Sequence, residues 1–267
     1  MTTGHGTTYI FCVDLYRKEV AMAEFAGKVA LVTGGSRGIG AAIVKRLARG
    51  GADVALTYVS AADKGRSVIA DVEAAGRRGM AIAADTADPA AIVGAVERTV
   101  AELGRLDILV NNAGVAIMAP IEAVTLADLD KTLGIHVRGV FLASQAAARH
   151  MGAGGRIISI GSCLADRVPG PGIALYSMSK SALVGLTKGL ARDLGPRGIT
   201  ANLIQPGPID TDMNPANGAG AELQRSMLAL GHYGNTDDIA ATVAHLAGEG
   251  GRFITGATIT IDGGFTA

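Results

Sequence analysis

The chain has 267 residues, enough for one α/β domain with a large core, and its 24 basic and 24 acidic side chains cancel, so nothing in the charge favours nucleic acid or an anionic membrane. Two cysteines, Cys12 and Cys163, make neither a disulfide framework nor a metal cluster. No apolar run is long enough to span a bilayer, and a reducing, cytoplasmic setting is the simplest expectation.

Residues 1–21 read as an N-terminal extension, loosely attached or disordered. Asp14, Arg17, Lys18 and Glu19 interrupt any apolar core, and Tyr9 to Val13 is too short for the apolar centre of a signal peptide. Met22 opens the segment that runs into the first strand, so the folded domain is expected over 22–267. Val29-Ala-Leu-Val reads as a buried strand. Glycines at 34, 35, 38 and 40 then break it, and Ala41 to Leu47 has helical spacing. A strand, a glycine turn and a helix form a phosphate site, because the first amides of the helix and its positive end face an anion. Gly34 suits the tight turn, Gly38 a close backbone approach, and Gly40 the packing of helix on strand.

Further strands are expected at Asp53–Val59, Met80–Ala84, Leu106–Val110, Arg156–Ile160, Thr200–Ile204 and Thr258–Ile261. Helices are expected over about 61–75, 89–103, 125–150, 176–194 and from Thr236, with Thr125 and Asp128 as a capping box. The alternation of strand and helix, with helix-length connections and no linker, implies parallel strands in one domain. The chemically suggestive groups each follow a strand's C-terminal end: Gly34–Gly40, Asp85, Asn112–Gly114, Ser162 and Pro206–Gly207. Ligands of open parallel sheets bind at that edge.

Tyr176 and Lys180 are four apart and share one helix face. A phenol titrates near 10, and an adjacent ammonium favours its charged form. Fourteen positions earlier, Ser162 ends a strand, close enough along the chain for its hydroxyl to reach the phenol.

Thr33-Gly-x3-Gly-x-Gly40, Asn111-Asn-Ala-Gly114, Ser162, Tyr176-x3-Lys180 and Pro206-Gly207 stand in the order seen in short-chain dehydrogenases/reductases. Over about residues 24–267 the chain resembles that family, and most of all its 3-oxoacyl-carrier-protein reductases and related secondary-alcohol dehydrogenases. The resemblance implies a Rossmann-type, doubly wound parallel sheet of about seven strands with helices on both faces. It also implies hydride transfer between a nicotinamide cofactor and a carbonyl or alcohol carbon. Tyr176 would give a proton to the carbonyl oxygen, Ser162 would hydrogen-bond that oxygen, and Lys180 would bind the nicotinamide ribose and lower the Tyr176 pKa. The cofactor would meet Gly34, Ser36, Arg37, Gly38, Ile39 and Gly40 in the glycine turn. Beyond it would come Tyr58, Ser60, Asp85, Asn112, Ala113, Gly114, Pro206, Gly207, Ile209 and Thr211, with Tyr176 and Lys180. Asp85 is expected at the adenine edge and Thr211 at the nicotinamide carboxamide.

The pattern departs at Ile135-His136-Val137-Arg138-Gly139, where the family has an Asn in place of His136. An imidazole can relay a proton, so His136 is a catalytic candidate, but it can equally occupy a partly buried helical position. His136→Asn is expected to keep or raise turnover. At the end of the second strand, Tyr58-Val59-Ser60 carries no carboxylate to repel a 2′-phosphate, and Arg37 can pair with one, so NADP(H) is the expected cofactor. The small apolar stripe Leu223, Met227 and Leu230 fits either a lid or ordinary core packing. Cys163 fits a passive pocket lining. His5, His150, His232 and His245 have no metal-ligand spacing, and no metal is expected.

The function expected is NADPH-dependent reduction of a ketone, 3-oxoacyl-like or related, to a secondary alcohol. The alternatives are oxidation of a sugar, polyol or steroid alcohol, and a weakly catalytic NADP(H)-binding protein. The two long helices carry more apolar and small residues than one sheet face needs; in the family such helices pair between subunits, so a homodimer or homotetramer is expected.

Overall fold

A computed structural model describes residues 24–267. The extension expected over 1–21, and Met22, lie outside the described residues. Seven parallel strands form one sheet: β1 Val29–Val32, β2 Asp53–Tyr58, β3 Gly79–Ala83, β4 Ile108–Asn111, β5 Arg156–Ile160, β6 Thr200–Pro206 and β7 Thr258–Ile261. Their spatial order is β3-β2-β1-β4-β5-β6-β7. The order reverses between β1 and β4, which pair through Ala30 with Ile108 and Val32 with Val110. A crevice at such a reversal is where open α/β sheets take ligands.

Alternate strand residues feed two cores. Ala30, Val32, Val54, Leu56, Ile108 and Val110 pack on one face against helices α1 (Gly38–Arg49), α2 (Ala62–Ala74) and α8 (Thr236–Ala247). Val29, Leu31, Ala55 and Leu109 pack on the other face against α3 (Pro89–Leu103), α5 (Val140–His150) and the end of α6 (Ala174–Leu194). The strands are apolar on both sides because helices cover both faces.

Local signals set the helix starts. The Asp88 side chain accepts from the amides of Ala90 and Ala91, with Pro89 in the first turn. Thr125 and Asp128 form the expected capping box at α4 (Leu126–Leu133). Asn235 and Asp238 form a second box at α8. The expected single helix to His150 is divided: a π-helical stretch, Gly134–Gly139, joins α4 to α5. Gly139 shows why the backbone runs so near its neighbour there, since a Cβ on it would lie 2.4 Å from the Thr86 carbonyl. The stripe Leu223–Leu230 is resolved only in part into α7 (Ala221–Ser226). Strand β6 runs two residues past its expected end, because Gln205 and Pro206 still pair with β7. Among the described residues no helix is long and apolar enough to cross a membrane.

Candidate active site

The glycine turn after β1 leaves the start of α1 open. Gly34 (φ 65°) and Gly38 (φ 53°) hold left-handed backbone that other residues adopt only with strain. Arg37 sits at the cap position and makes no capping bond, so the first amides of α1 remain for an anion. A Cβ on Gly38 would meet only Thr211, at 3.5 Å, whereas one on Gly40 would lie 2.5 Å from the Asn112 amide nitrogen. Gly38 therefore forms the open floor of a cradle, and Gly40 the close packing behind it.

This cradle opens into a cleft of about 1280 Å³ along the C-terminal edge of the sheet. Every residue expected at the cofactor lines it. The glycine turn from Gly34 through Ser36, Arg37 and Ile39 to Gly40 forms one wall, with Tyr58, Ser60 and Asp85 beyond it. Asn112, Ala113 and Gly114 follow β4, while Pro206, Gly207, Ile209 and Thr211 follow β6. Ser162, Tyr176 and Lys180 line the same cleft, and His136 does not. A shape of this size and an open phosphate cradle fit a dinucleotide with a small substrate beside it.

Ser162, Tyr176 and Lys180 are held together by bonds that tie α6 to the turn after β5. The Ser177 hydroxyl donates to the Leu164 carbonyl (2.6 Å), and the Ser181 hydroxyl donates to the Ala165 carbonyl (2.9 Å). Ser162 is buried and its Oγ accepts from the Leu164 amide at 3.2 Å. The Lys180 ammonium donates to the Ile160 carbonyl at 3.0 Å and lies 5.8 Å from the centre of the Tyr176 ring. Burial lowers the Lys180 ammonium to about 8, so most of it is still charged at neutral pH. Burial pushes the Tyr176 phenol above its ordinary value, with a hydrogen bond from Ser162 opposing the shift. The downward shift implied by family resemblance is thus outweighed, because the phenolate would have to form in a largely dry pocket. Tyr176 therefore holds its proton.

A family model described as enoyl-(acyl carrier protein) reductase matches residues 34–266. A short-chain dehydrogenase from Burkholderia cenocepacia, solved in complex with NADP, is 59% identical with a TM-score of 0.91, covering 91% of this chain and all of that one. The chain belongs to the short-chain dehydrogenase/reductase family. A blue fluorescent protein from a metagenomic library, solved with NADPH, is another structural relative of this oxidoreductase, at 56% identity and a TM-score of 0.90 over 91% of this chain and all of that one. The cyclic-di-GMP-binding biofilm dispersal mediator protein of Escherichia coli is 45% identical over 92% of this chain and all of its own.

Within this family member, His136 is 1% exposed and both ring nitrogens are engaged. The Val115 amide donates to Nε2 at 3.0 Å, which assigns the ring proton to Nδ1. Nδ1 lies 2.8 Å from the Ser179 oxygen, and the Ser179 hydroxyl donates onward to the Tyr176 carbonyl at 2.7 Å. The ring also meets Tyr176 edge to face, centroids 5.7 Å apart. Burial, with the Lys180 charge adding to it, lowers the imidazole to about 3 and keeps it neutral. Both nitrogens are committed to neighbours, which fixes the ring in place.

Three features escaped sequence reasoning. Asn112 turns its side-chain amide to the Thr33 and Gly34 carbonyls (3.0 and 3.1 Å), so it braces the glycine turn. The Thr33 hydroxyl accepts the amides of both Asn112 and Ala113 at 3.0 Å. The serines 177, 179 and 181 alternate through the Tyr176–Lys180 motif, and that spacing is the sequence signal of these bonds. Cys163, Leu228 and Phe265 pack together beside Leu164, Met227 and Tyr233, so Cys163 lies in an apolar wall where burial pushes its thiol up to about 12.

Proposed function

We propose that the protein is an NADP(H)-dependent oxidoreductase that reduces a ketone, 3-oxoacyl-like or a related carbonyl, to a secondary alcohol. The observation that carries this reading is the meeting of a protonated Tyr176, Ser162 and a mostly charged Lys180 in one cleft with the glycine cradle. When bound, the cofactor supplies the hydride. Ser162 and Tyr176 hold the carbonyl oxygen, and Tyr176 delivers its proton to that oxygen as negative charge develops there. Lys180, anchored on the Ile160 carbonyl, offers its remaining N–H groups to the nicotinamide ribose and offsets the charge left on the phenol. Arg37 and Ser60 meet the 2′-phosphate, with no carboxylate after β2 to repel it. The apolar wall of Cys163, Leu164, Met227 and Phe265 favours an uncharged ketone.

Tyr176→Phe tests this directly. Over a panel of β-ketoesters, acyl thioesters, quinones, sugars and steroid ketones, its turnover should fall by about 10²–10⁴-fold while NADPH binding persists. Equal, negligible rates for wild type and variant would instead favour a second reading, a nucleotide-binding protein with little turnover. Two observations motivate that reading: the His136 substitution, and the cyclic-di-GMP-binding relative.

The functional unit is proposed to be a homodimer or homotetramer. Gly185 and Gly189 on α6 are exposed, and a Cβ on either would touch nothing within 4 Å. Their smallness serves no contact inside this chain, which supports a second helix packed closely over them.

A further inference from the structure

Beyond β7 the chain makes a further turn, Asp262 to Thr266, and that turn is built into the cleft. The Asp262 carboxylate accepts the amides of Gly264 and Thr266, both at 2.9 Å, and the Thr266 hydroxyl at 2.7 Å. The Leu230 amide donates to the Gly263 carbonyl at 3.1 Å. Arg167, in the segment after Ser162, donates to the Phe265 carbonyl and lies over the Phe265 ring, 5.4 Å from its centre. A Cβ on Gly264 would come within 2.5 Å of the Ala229 Cβ, and one on Gly207 within 2.6 Å of the Asp262 Cα, so the turn is closely packed on two sides. These ties fix one aromatic ring. Phe265 is 3% exposed, packs on Cys163 beside Ser162, and lines the cleft there. The rim of the cleft is different. Met118, Met213 and Leu223 line it too, and each is more than half exposed. A buried, tethered ring has no room to swing aside for a bulky group, because interiors are close-packed. Exposed methionines, by contrast, are unbranched and adapt their shape.

We infer that Phe265 sets a size limit on one of the two groups flanking the ketone, so the substrate carries one small group, such as methyl, and one large apolar group. The inference rests on the ketone-reduction reading above and names its substrate class. With the carbonyl oxygen held by Ser162 and Tyr176, the small group lies against Cys163 and Phe265. The large group runs outward past Met118, Met213 and Leu223, where apolar surface is available and the wall can reshape around it. The limit is steep on the first side, since one methylene too many in a fixed apolar pocket costs roughly 10- to 200-fold in kcat/KM. It is shallow on the second, where the cleft opens to solvent.

The test measures kcat/KM with NADPH along two series. Acetophenone, propiophenone and butyrophenone lengthen the small group; methyl ethyl, methyl butyl and methyl hexyl ketone lengthen the large one. Wild type should lose about tenfold or more from acetophenone to butyrophenone, and should hold or gain along the methyl ketones. Phe265→Ala should raise the butyrophenone-to-acetophenone ratio about tenfold or more, with Phe265→Leu between the two. Each ratio comes from one preparation, so it does not depend on how much of a variant is folded. If wild type reduces no ketone of these series or of the panel above, the ketone-reduction reading fails and the size limit with it. The size limit alone is overturned by any of three results: turnover of other panel members but none of these, butyrophenone taken as readily as acetophenone, or a ratio that Phe265→Ala leaves unmoved.

Discussion

His136 has a measurable signature in solution. Its imidazole titrates at about 3 in the fold against an ordinary value near 6.5, so between these values the unfolded chain binds a proton that the folded chain does not. Stability should therefore fall on acidification through that window, by up to about 1.4 kcal/mol per pH unit from this group. Denaturant titrations between pH 4.5 and 6.5 should show the slope in wild type and a flatter one in His136→Asn. The same variant should keep turnover well clear of the roughly 10²–10⁴-fold loss that follows removal of an acid/base group. It should lose about 1–3 kcal/mol of stability, because the Val115 amide is left unpaired. A large fall in kcat at unchanged stability would instead give the imidazole a chemical role. At this scale Tyr176, Lys180 and Ser162 were legible, since helix geometry and strand ends are local matters. The bracing by Asn112 and the bonds of His136 were not, because their partners lie 79 and 21 to 43 residues away.

Among the elements, the π-helical stretch makes a sharp demand on a single residue. A Cβ at Gly139 would sit against the Thr86 carbonyl, which is backbone and cannot swing aside. Gly139→Ala should lower stability by about 1–3 kcal/mol, the usual cost of overpacking, read as a drop in Tm. Gly94→Ala in α3 is the matching control. Its Cβ would meet nothing within 4 Å, and it should stabilise by roughly 0.5–1 kcal/mol through helix propensity. The capping box of α4 was legible in Thr125 and Asp128, because a cap and the amides it receives are neighbours in sequence, and the starts of α3 and α8 were placed at Pro89 and Thr236, one residue after their caps Asp88 and Asn235. The π stretch was not legible, since its cause is the Thr86 loop on another part of the chain.

For the molecule as a whole, the parallel setting of the strands followed from the alternation of strand and helix, and the cleft from the placement of each polar group after a strand; the spatial order of the strands is not written in that alternation. What periodicity left open was which apolar stripes face inward. Leu126, Phe141 and Met178 lie on the long helices and are 71%, 48% and 50% exposed, and Leu133, Val137 and Phe141 line a shallow outer groove of about 450 Å³. With the bare Gly185 and Gly189 on α6, this supports subunit contact through α5 and α6. Light scattering at micromolar concentration should report a dimer or tetramer, and Gly185→Arg should give a smaller species with unchanged far-UV circular dichroism. A monomeric wild type would end that proposal. The double hold of Thr33 and Asn112 on the glycine turn has a practical outcome for anyone reshaping this catalyst. The floor under the dinucleotide is riveted between β1 and β4, whereas the roof is made of the segments 163–171 and 213–227, which carry no strand of the sheet. Randomised libraries confined to that roof can diversify what the catalyst accepts while its nucleotide platform stays intact.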